Sequence, residues 1–313
     1  MAPIVVLEPG LLSTIQDLGR EGHGRLGVSA AGAADPAALR IGNRLVGNPE
    51  EAAALEMTLR GGEFLFEGPA LIALTGADFG PALDGRPVPL WTTLEARPGQ
   101  RLRFGVTRSG ARSYLAVRGG LAVPPVLGSR STHLPSGLGG LDGRALRKGD
   151  VLPVGDARGP CPMRRVDPDM LGRLAPRRTL RVTDGPQAGW FAAEARDLIS
   201  RAGYVVTEES DRMGLRLRGA PIMPPFDGEM MSEGVSLGAV QIPPGGQPII
   251  SFVDLQTTGG YPVLASVISA DLPSVGQLRP RDEIRFVPVS LESARSLLVE
   301  QEEWLRSGSL LAT

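Results

Sequence analysis

Short apolar runs cut apart by glycine and proline dominate this chain and limit the folds open to it. "APIVVLEPG", "FLFEGPALIALTG", "QRLRFGV", "RSYLAVRGG", "DVLPVG", "TLRVTDG", "GYVVTEES", "PIISFVDLQ", "VLASVIS" and "DEIRFVPV" are rich in β-branched and aliphatic residues and end in turn formers. With 42 glycines and 28 prolines among 313 residues, few stretches between breakers are long enough for a helix. The fold class is therefore mainly β with a few helices. Helical texture is confined to "DPAALRIGNRLVGNPEEAAALEMTL", "AGWFAAEARDLISR" and the tail "SLESARSLLVEQEEWLRSG". In the first, Asp35 before Pro36 gives the N-cap and N1 signature, and Ala38, Ile41 and Leu45 share one helical stripe. In the second, Trp190, Phe191, Ala195 and Leu198 recur near helical spacing.

A length of 313 residues exceeds what one hydrophobic core usually covers, which predicts two domains. Three segments, "ARPGQRLRF" (96–104), "LRKGDVLPV" (146–154) and "LRPRDEIRFVPV" (278–289), share a basic residue, a turn and then a strand, as barrels do. Residues 156–178, "DARGPCPMRRVDPDMLGRLAPRR", are rich in Pro and Arg and lack periodicity, so the boundary is expected there. The expected division is a twisted β-barrel over 1–155, a second over 176–290, and a C-terminal helix or tail over 291–313.

Composition removes several functions. A net charge of −1 argues against a nucleic-acid binder, which would carry a basic excess. No apolar stretch approaches a membrane span and the start, "MAPIVVLEPGLL", lacks a basic leader, which predicts a soluble, cytoplasmic protein. Lys148 is the lone lysine; "LRKGDVL" is neither a P-loop nor a methionine-flanked biotin site, so no covalent biotin is expected on this chain. Two histidines, His23 and His133, and one cysteine, Cys161, give no metal-ligand spacing, so no metal is expected either. No G-x-S-x-G elbow is present.

Candidate chemistry sits on glycine-rich loops. Gln16, Asp17, Arg20 and His23 precede the first helix, where amides and a guanidinium could grip a carboxylate or carbonyl; an Asp–Arg pair in an ordinary loop is the competing reading. "GSRSTHLPSGLGG" contributes Arg130, Ser131, Thr132 and His133, suited to an anion or to a mobile loop alone. In "EESDRMG", Ser210 and Asp211 suit a turn cap, whereas Arg212 has no local structural duty. The stretch "SEGVSLGAVQIPPGGQPIISFVDLQTTGGYP" (232–262) ends with Gln256, Thr257 and Thr258 before Gly259 and Gly260, a pair that permits close backbone approach. It reads as strand, tight loop and strand whose end lines the cleft between the two domains, or as a barrel corner.

"TIQDLGR", "GAAD" with "IGNRLVGN" and "LEMTL", "LTGAD", "YLAVRGG", "VLGSRST", "SDRMG", "GAVQIPPGGQPI" and "DLQTTGGYP" resemble, in this order, the biotin-dependent carboxyltransferase-like family, also called allophanate hydrolase subunit 2. The resemblance covers residues 4–290; its departures, such as "GAAD" without a methionine before the aspartate, are small. It implies two cyclophilin-like β-barrel domains. It also implies the work of the C component in an ATP-dependent 5-oxoprolinase complex, which opens 5-oxoproline to L-glutamate and is inactive unless all its components are present. The partners so implied are a KipI-like protein, the B component, and a LamB/YcsF-type protein, the A component. ATP is required by the complex, and which component binds it stays open. Two alternatives accompany this reading: a KipA-type regulator that antagonises a KipI-like kinase inhibitor, and the carboxyltransferase component of a biotin-dependent urea or amide carboxylase.

A small amide or lactam carbonyl calls for donors aimed at its oxygen, and a substrate carboxylate suits arginine. Under the resemblance, the catalytic candidates are Arg212, Asp211, Gln16 and Asp17, with Asp35 a further orienting carboxylate. The substrate-binding candidates are Arg20, Arg130, Ser131, Thr132, Gln256, Thr257, Thr258 and Gly259.

Overall fold

The computed structural model describes residues 2–226 and 230–312. The chain divides into two compact units: Met1–Arg20, Ala31–Ala175 and Leu305–Thr313 form the first, and Glu21–Ala30 with Pro176–Trp304 the second. The long crossing, at 175/176, falls inside the Pro- and Arg-rich stretch.

In the first unit, two antiparallel sheets share one core. The six-stranded sheet runs Val151–Leu152, Ile4–Glu8, Glu63–Phe66, Arg101–Arg103, Ala82–Leu83 and Arg86–Pro87. The five-stranded sheet runs Leu12–Gln16, Ala54–Thr58, Ser109–Val117, Ala70–Asp78 and Thr93–Ala96. Because successive side chains alternate between faces, Ile4, Val6, Phe64 and Phe66 of one sheet meet Leu55, Met57, Leu115 and Val117 of the other. Among the described residues its ladders stay open, unlike those of the second unit: one sheet ends at Pro87, which has no N–H to donate to a further strand.

The helix Pro36–Leu45 covers the other face of the five-stranded sheet. Asp35 accepts a bond from Ala38 N at 2.9 Å and caps it, and Ala38, Ile41 and Leu45 are buried as their spacing requires. Thr75 Oγ1 donates to Ala38 O at 2.7 Å, and a methyl on Gly42 would meet that same Oγ1 at 3.0 Å, so the glycine permits the close approach. The helical texture expected through "NPEEAAALEMTL" stops much earlier. Gly47, left-handed at φ 71°, ends the helix, and Ala54–Thr58 is a strand paired on both sides. Leu55 and Met57 alternate toward the core, a period-2 pattern that outweighs the helix preference of alanine and glutamate.

Seven strands of the second unit close into a barrel: Thr179–Asp184, Val263–Val267, Ala239–Gln241, Ile249–Ser251, Gly214–Gly219, Gly203–Val206 and Glu283–Pro288. The closing pair, Thr179–Asp184 with Glu283–Pro288, is parallel and the others are antiparallel. Leu180, Tyr204, Leu215, Leu217, Ile250, Ile284 and Phe286 fill the interior. The helix expected from "AGWFAAEARDLISR" spans Ala193–Arg201, and its buried positions are Ala195 and Ile199. Trp190 and Phe191 precede it and Leu198 is half-buried, which corrects the expected stripe by one residue. The tail forms the helix Leu291–Arg306, and then Leu311–Ala312 pairs with Arg165–Val166.

All three repeated segments are one turn built three times. Gln100, Asp150 and Asp282 donate their backbone N–H to the carbonyls of Arg97, Arg147 and Arg279 at 3.1 Å each. Their side chains accept the amides of the same three arginines at 2.8, 2.7 and 2.9 Å. The third residue is left-handed in every copy: Gly99, Gly149 and, without glycine's freedom, Arg281 at φ 73°.

Candidate functional site

Two groups of side chains from the sequence candidates emerge, one in each unit. In the first unit, the end of strand Leu12–Gln16 is knotted to the loop 126–133. The Asp17 carboxylate accepts from Gly19 N at 2.8 Å, Ser129 Oγ at 2.6 Å, Ser131 Oγ at 2.5 Å and Arg130 N at 2.5 Å. Gln16 Nε2 donates to Thr14 Oγ1 at 3.0 Å and Thr132 O at 3.1 Å, and Thr132 Oγ1 donates to Ile15 O at 3.0 Å. Arg20 donates to the carbonyls of Ser131 and Val126. Gln16, Asp17, Arg20, Ser131 and Thr132 are all buried, and the bonds above join them to one another and to Thr14, Ile15, Gly19, Val126, Ser129 and Arg130, so they tie the strand end to the loop. Arg130 is half-buried, sends Nε to Val123 O at 2.9 Å and lines a separate cleft of the same unit.

In the second unit, a cleft of about 470 Å³ opens beside the barrel strands Gly214–Gly219 and Ile249–Ser251. Asp211, Gln256, Thr258 and Gly259 line it, joined by Arg216, Gln241, Ser251 and Tyr261, which the sequence reading did not single out. Asp211 Oδ1 accepts from Met213 N at 2.8 Å and Gly214 N at 3.1 Å, so this carboxylate shapes the turn at the cleft wall. Ser251 Oγ donates to Gln241 Oε1 at 3.2 Å and tethers that amide at the cleft. A methyl group on Gly259 would meet Gln241 Nε2 at 2.8 Å and Val235 Cγ2 at 2.9 Å. Gly259 thus lets the chain run close beside the amide, as expected of the "TTGG" end. Strand Glu233–Gly234 pairs with Thr258–Gly259, and Thr257 O accepts from Val235 N at 3.1 Å. The "SEGV" to "GGYP" stretch is therefore a set of short strands that folds back on itself along the cleft.

Arg212 points inward. It is 5% exposed and makes a forked pair with Asp254, itself 2% exposed, Nε to Oδ2 at 2.8 Å and Nη2 to Oδ1 at 3.0 Å. Asp254 N donates to Arg212 O at 2.8 Å and Phe252 N to Met213 O at 2.9 Å. The pair ties the Asp211 turn to the 252–256 segment, the two sides that carry Asp211 and Gln256 into the cleft. A lone arginine beside an aspartate 42 positions away is a long-range pairing that local spacing does not reveal.

A third polar group lies under the helix Pro36–Leu45. Tyr114 Oη donates to Glu56 Oε2 at 2.7 Å and accepts from Asp35 N at 2.8 Å, while Ala34 N reaches the same Glu56 oxygen at 2.8 Å. Burial, then the Glu56 carboxylate, pushes the Tyr114 hydroxyl well above its ordinary value, so it stays protonated and acts as a fixed donor. Asp35 works as a helix cap inside this network. Among the described residues, no group of three or more His, Cys, Asp or Glu side chains could hold a metal ion, and no helix is long and apolar enough to cross a membrane.

The family model for "Carboxyltransferase domain, subdomain A and B" matches residues 26–288. This chain belongs to the carboxyltransferase-domain family. It is 40% identical to the C subunit of 5-oxoprolinase from Escherichia coli over 301 residues, 96% of this chain and 95% of that one. Against the corresponding 5-oxoprolinase C subunit of Haemophilus influenzae the identity is 36%, over 96% of both chains. The crystal structure of the Kluyveromyces lactis urea amidolyase superposes with a TM-score of 0.89 at 32% identity, covering 100% of this chain and 20% of that one. The chain therefore spans about a fifth of the length of that solved relative. The K. lactis urea carboxylase gives the same TM-score, 0.89, with 30% of its chain covered. The mainly β carboxyltransferase architecture expected from the sequence is thereby established.

Proposed function

We propose that this chain is the C component of an ATP-dependent 5-oxoprolinase, working with a LamB/YcsF-type A component and a KipI-like B component to open 5-oxoproline to L-glutamate. The observation that carries the reading is the 40% identity to the E. coli 5-oxoprolinase C subunit along almost the whole of both chains. In the reaction, oxygen from water bonds to the lactam carbonyl carbon, the carbon–nitrogen bond breaks, and the nitrogen leaves as an amine with the proton it needs. ATP is a requirement of the complex, and no part of its binding is assigned to this chain. The second-unit cleft supplies the matching chemistry. Its amide and hydroxyl groups, Gln241, Gln256 and Thr258, are donors for the carbonyl oxygen, and Arg216 is the cation for the carboxylate. Asp211, Arg212 and Asp254 position these walls. Gln16, Asp17, Arg20, Ser131 and Thr132 position the loop 126–133.

Carboxyl transfer is the second reading, favoured by the TM-score of 0.89 to the K. lactis urea carboxylase. The deciding assay is glutamate release from 5-oxoproline and ATP by the three-protein complex, with each protein omitted in turn. Activity that depends on this chain and falls at least tenfold in Gln256→Ala or Gly259→Ala supports the first reading. Carboxylation of urea by carboxybiotin, with no glutamate release, would replace it with the second.

A further inference from the structure

The first unit has its own cleft, of about 460 Å³, walled by the turn after helix Pro36–Leu45, by the end of strand Ser109–Val117 and by residues around Gly155. Arg118, Arg130 and Arg158 all line it. Arg118 is clamped: Nη1 donates to Val46 O at 2.9 Å, and Nη2 to the carbonyls of Arg158 and Gly159 at 2.8 Å each. Among the described residues the Arg130 guanidinium is held through Nε, on Val123 O at 2.9 Å. Both arginines are therefore oriented by main-chain carbonyls at the cleft wall. A guanidinium has five N–H donors, so Arg130 retains both Nη groups, and Arg118 its Nε and part of Nη1, for another acceptor.

The frame around them is closely packed. Gly119 and Gly155 touch back to back, since a methyl on Gly119 would lie 2.0 Å from Gly155 O and one on Gly155 would lie 2.4 Å from Gly119 O. Asn48 Oδ1 accepts from Gly119 N at 2.8 Å and ties in the turn after the helix. A carboxylate is satisfied by one planar fork, whereas two guanidinium groups on separate strand and loop supports suit a tetrahedral dianion with three acceptor oxygens. Glu51 and Asp156 also line the cleft, so placement of the arginines, rather than net charge, selects the ligand.

We propose that this cleft binds the phosphate group of a small molecule, with Arg130 as the principal contact and Arg118 as the fixed second one. It is independent of the substrate reading of the second-unit cleft. The test is isothermal titration of the full chain with inorganic phosphate and with glycerol phosphate at constant ionic strength, with glutamate as the carboxylate control. Expected is saturable binding of at least one phosphate species, weakened tenfold or more in Arg130→Gln at an unchanged melting temperature. Tighter binding of glycerol phosphate would mark an esterified ligand, and tighter binding of inorganic phosphate the free ion. Absence of saturable binding, equal binding of glutamate, or undiminished binding in Arg130→Gln would overturn the assignment. Arg118→Gln releases the 158–159 segment as well, so Arg130→Gln decides.

Discussion

Removing Arg212 while leaving Asp254 in place exposes what the buried pair does. Both partners are at least nineteen-twentieths buried and joined by two hydrogen bonds, at 2.8 and 3.0 Å, so Arg212→Met strands a buried carboxylate in the turn after strand Ile249–Ser251. Breaking one side of such a pair destabilises by about 3–5 kcal/mol, most of it the penalty of the unpaired charge. Replacing both partners, Arg212→Met with Asp254→Leu, removes that charge and should restore most of the loss. For a unit of this size the single change should lower the melting temperature by about 10–17 °C, and the double change by much less. Urea titration and calorimetry of wild type, both singles and the double form a closed cycle. A loss below about 1 kcal/mol in the single, or a double no better than the single, would refute the claim that the pair is buried and mutually dependent. The double also separates two roles for Arg212. If it is stable and activity in the three-protein assay is unchanged, the pair serves stability alone; if it is stable and activity falls, the pair positions the cleft walls that carry Asp211 and Gln256.

Other expectations are as direct. Tyr114→Phe deletes two buried hydrogen bonds, to Glu56 and from Asp35 N, and should cost about 1–3 kcal/mol by urea unfolding. The Arg144 fork, Nη1 to Oδ2 at 2.7 Å and Nη2 to Oδ1 at 2.9 Å, holds the Asp150 carboxyl below its ordinary value. A depressed folded value means that this stabilisation is complete above the ordinary aspartate range and is lost as pH falls through the folded value. Asp150→Asn should therefore flatten the acid limb of a stability–pH curve, and an unchanged limb would contradict the sign. Arg281→Gly relaxes the left-handed third turn that Gly99 and Gly149 occupy in the other two, at the loss only of an exposed pair with Glu208. Stability should rise by about 0.5–1 kcal/mol; a fall would mean that the Glu208 contact outweighs the backbone.

Period-2 patterning and turn chemistry made the strands legible, because both act within a few residues. The cap at Asp35, the stripe Ala38, Ile41 and Leu45, and the three matched turns were all visible that way. The strand Ala54–Thr58 was masked by alanine and glutamate, and its identity comes from neighbours Leu12–Gln16 and Ser109–Val117 that are distant in sequence. At the cleft, glycines and amides of "DLQTTGGYP" announced themselves, whereas Gln241 and Ser251 did not, since they are brought in by barrel register. Arg212 was conspicuous for lacking a local partner. Its partner, Asp254, was in plain view within the quoted stretch, and only the fold joins them.

The order of segments in the two units carries a consequence for synthesis. Met1–Arg20 and Ala31–Ala175 belong to one unit and Glu21–Ala30 and Pro176–Trp304 to the other, and Leu305–Thr313 returns to the first. A ribosome therefore delivers the strand Leu311–Ala312, partner of Arg165–Val166, only after every barrel strand has been made. The unit begun first is finished last. Neither half can be cut out with a single break, and a nascent chain stalled before Leu311 lacks the strand that pairs with Arg165–Val166.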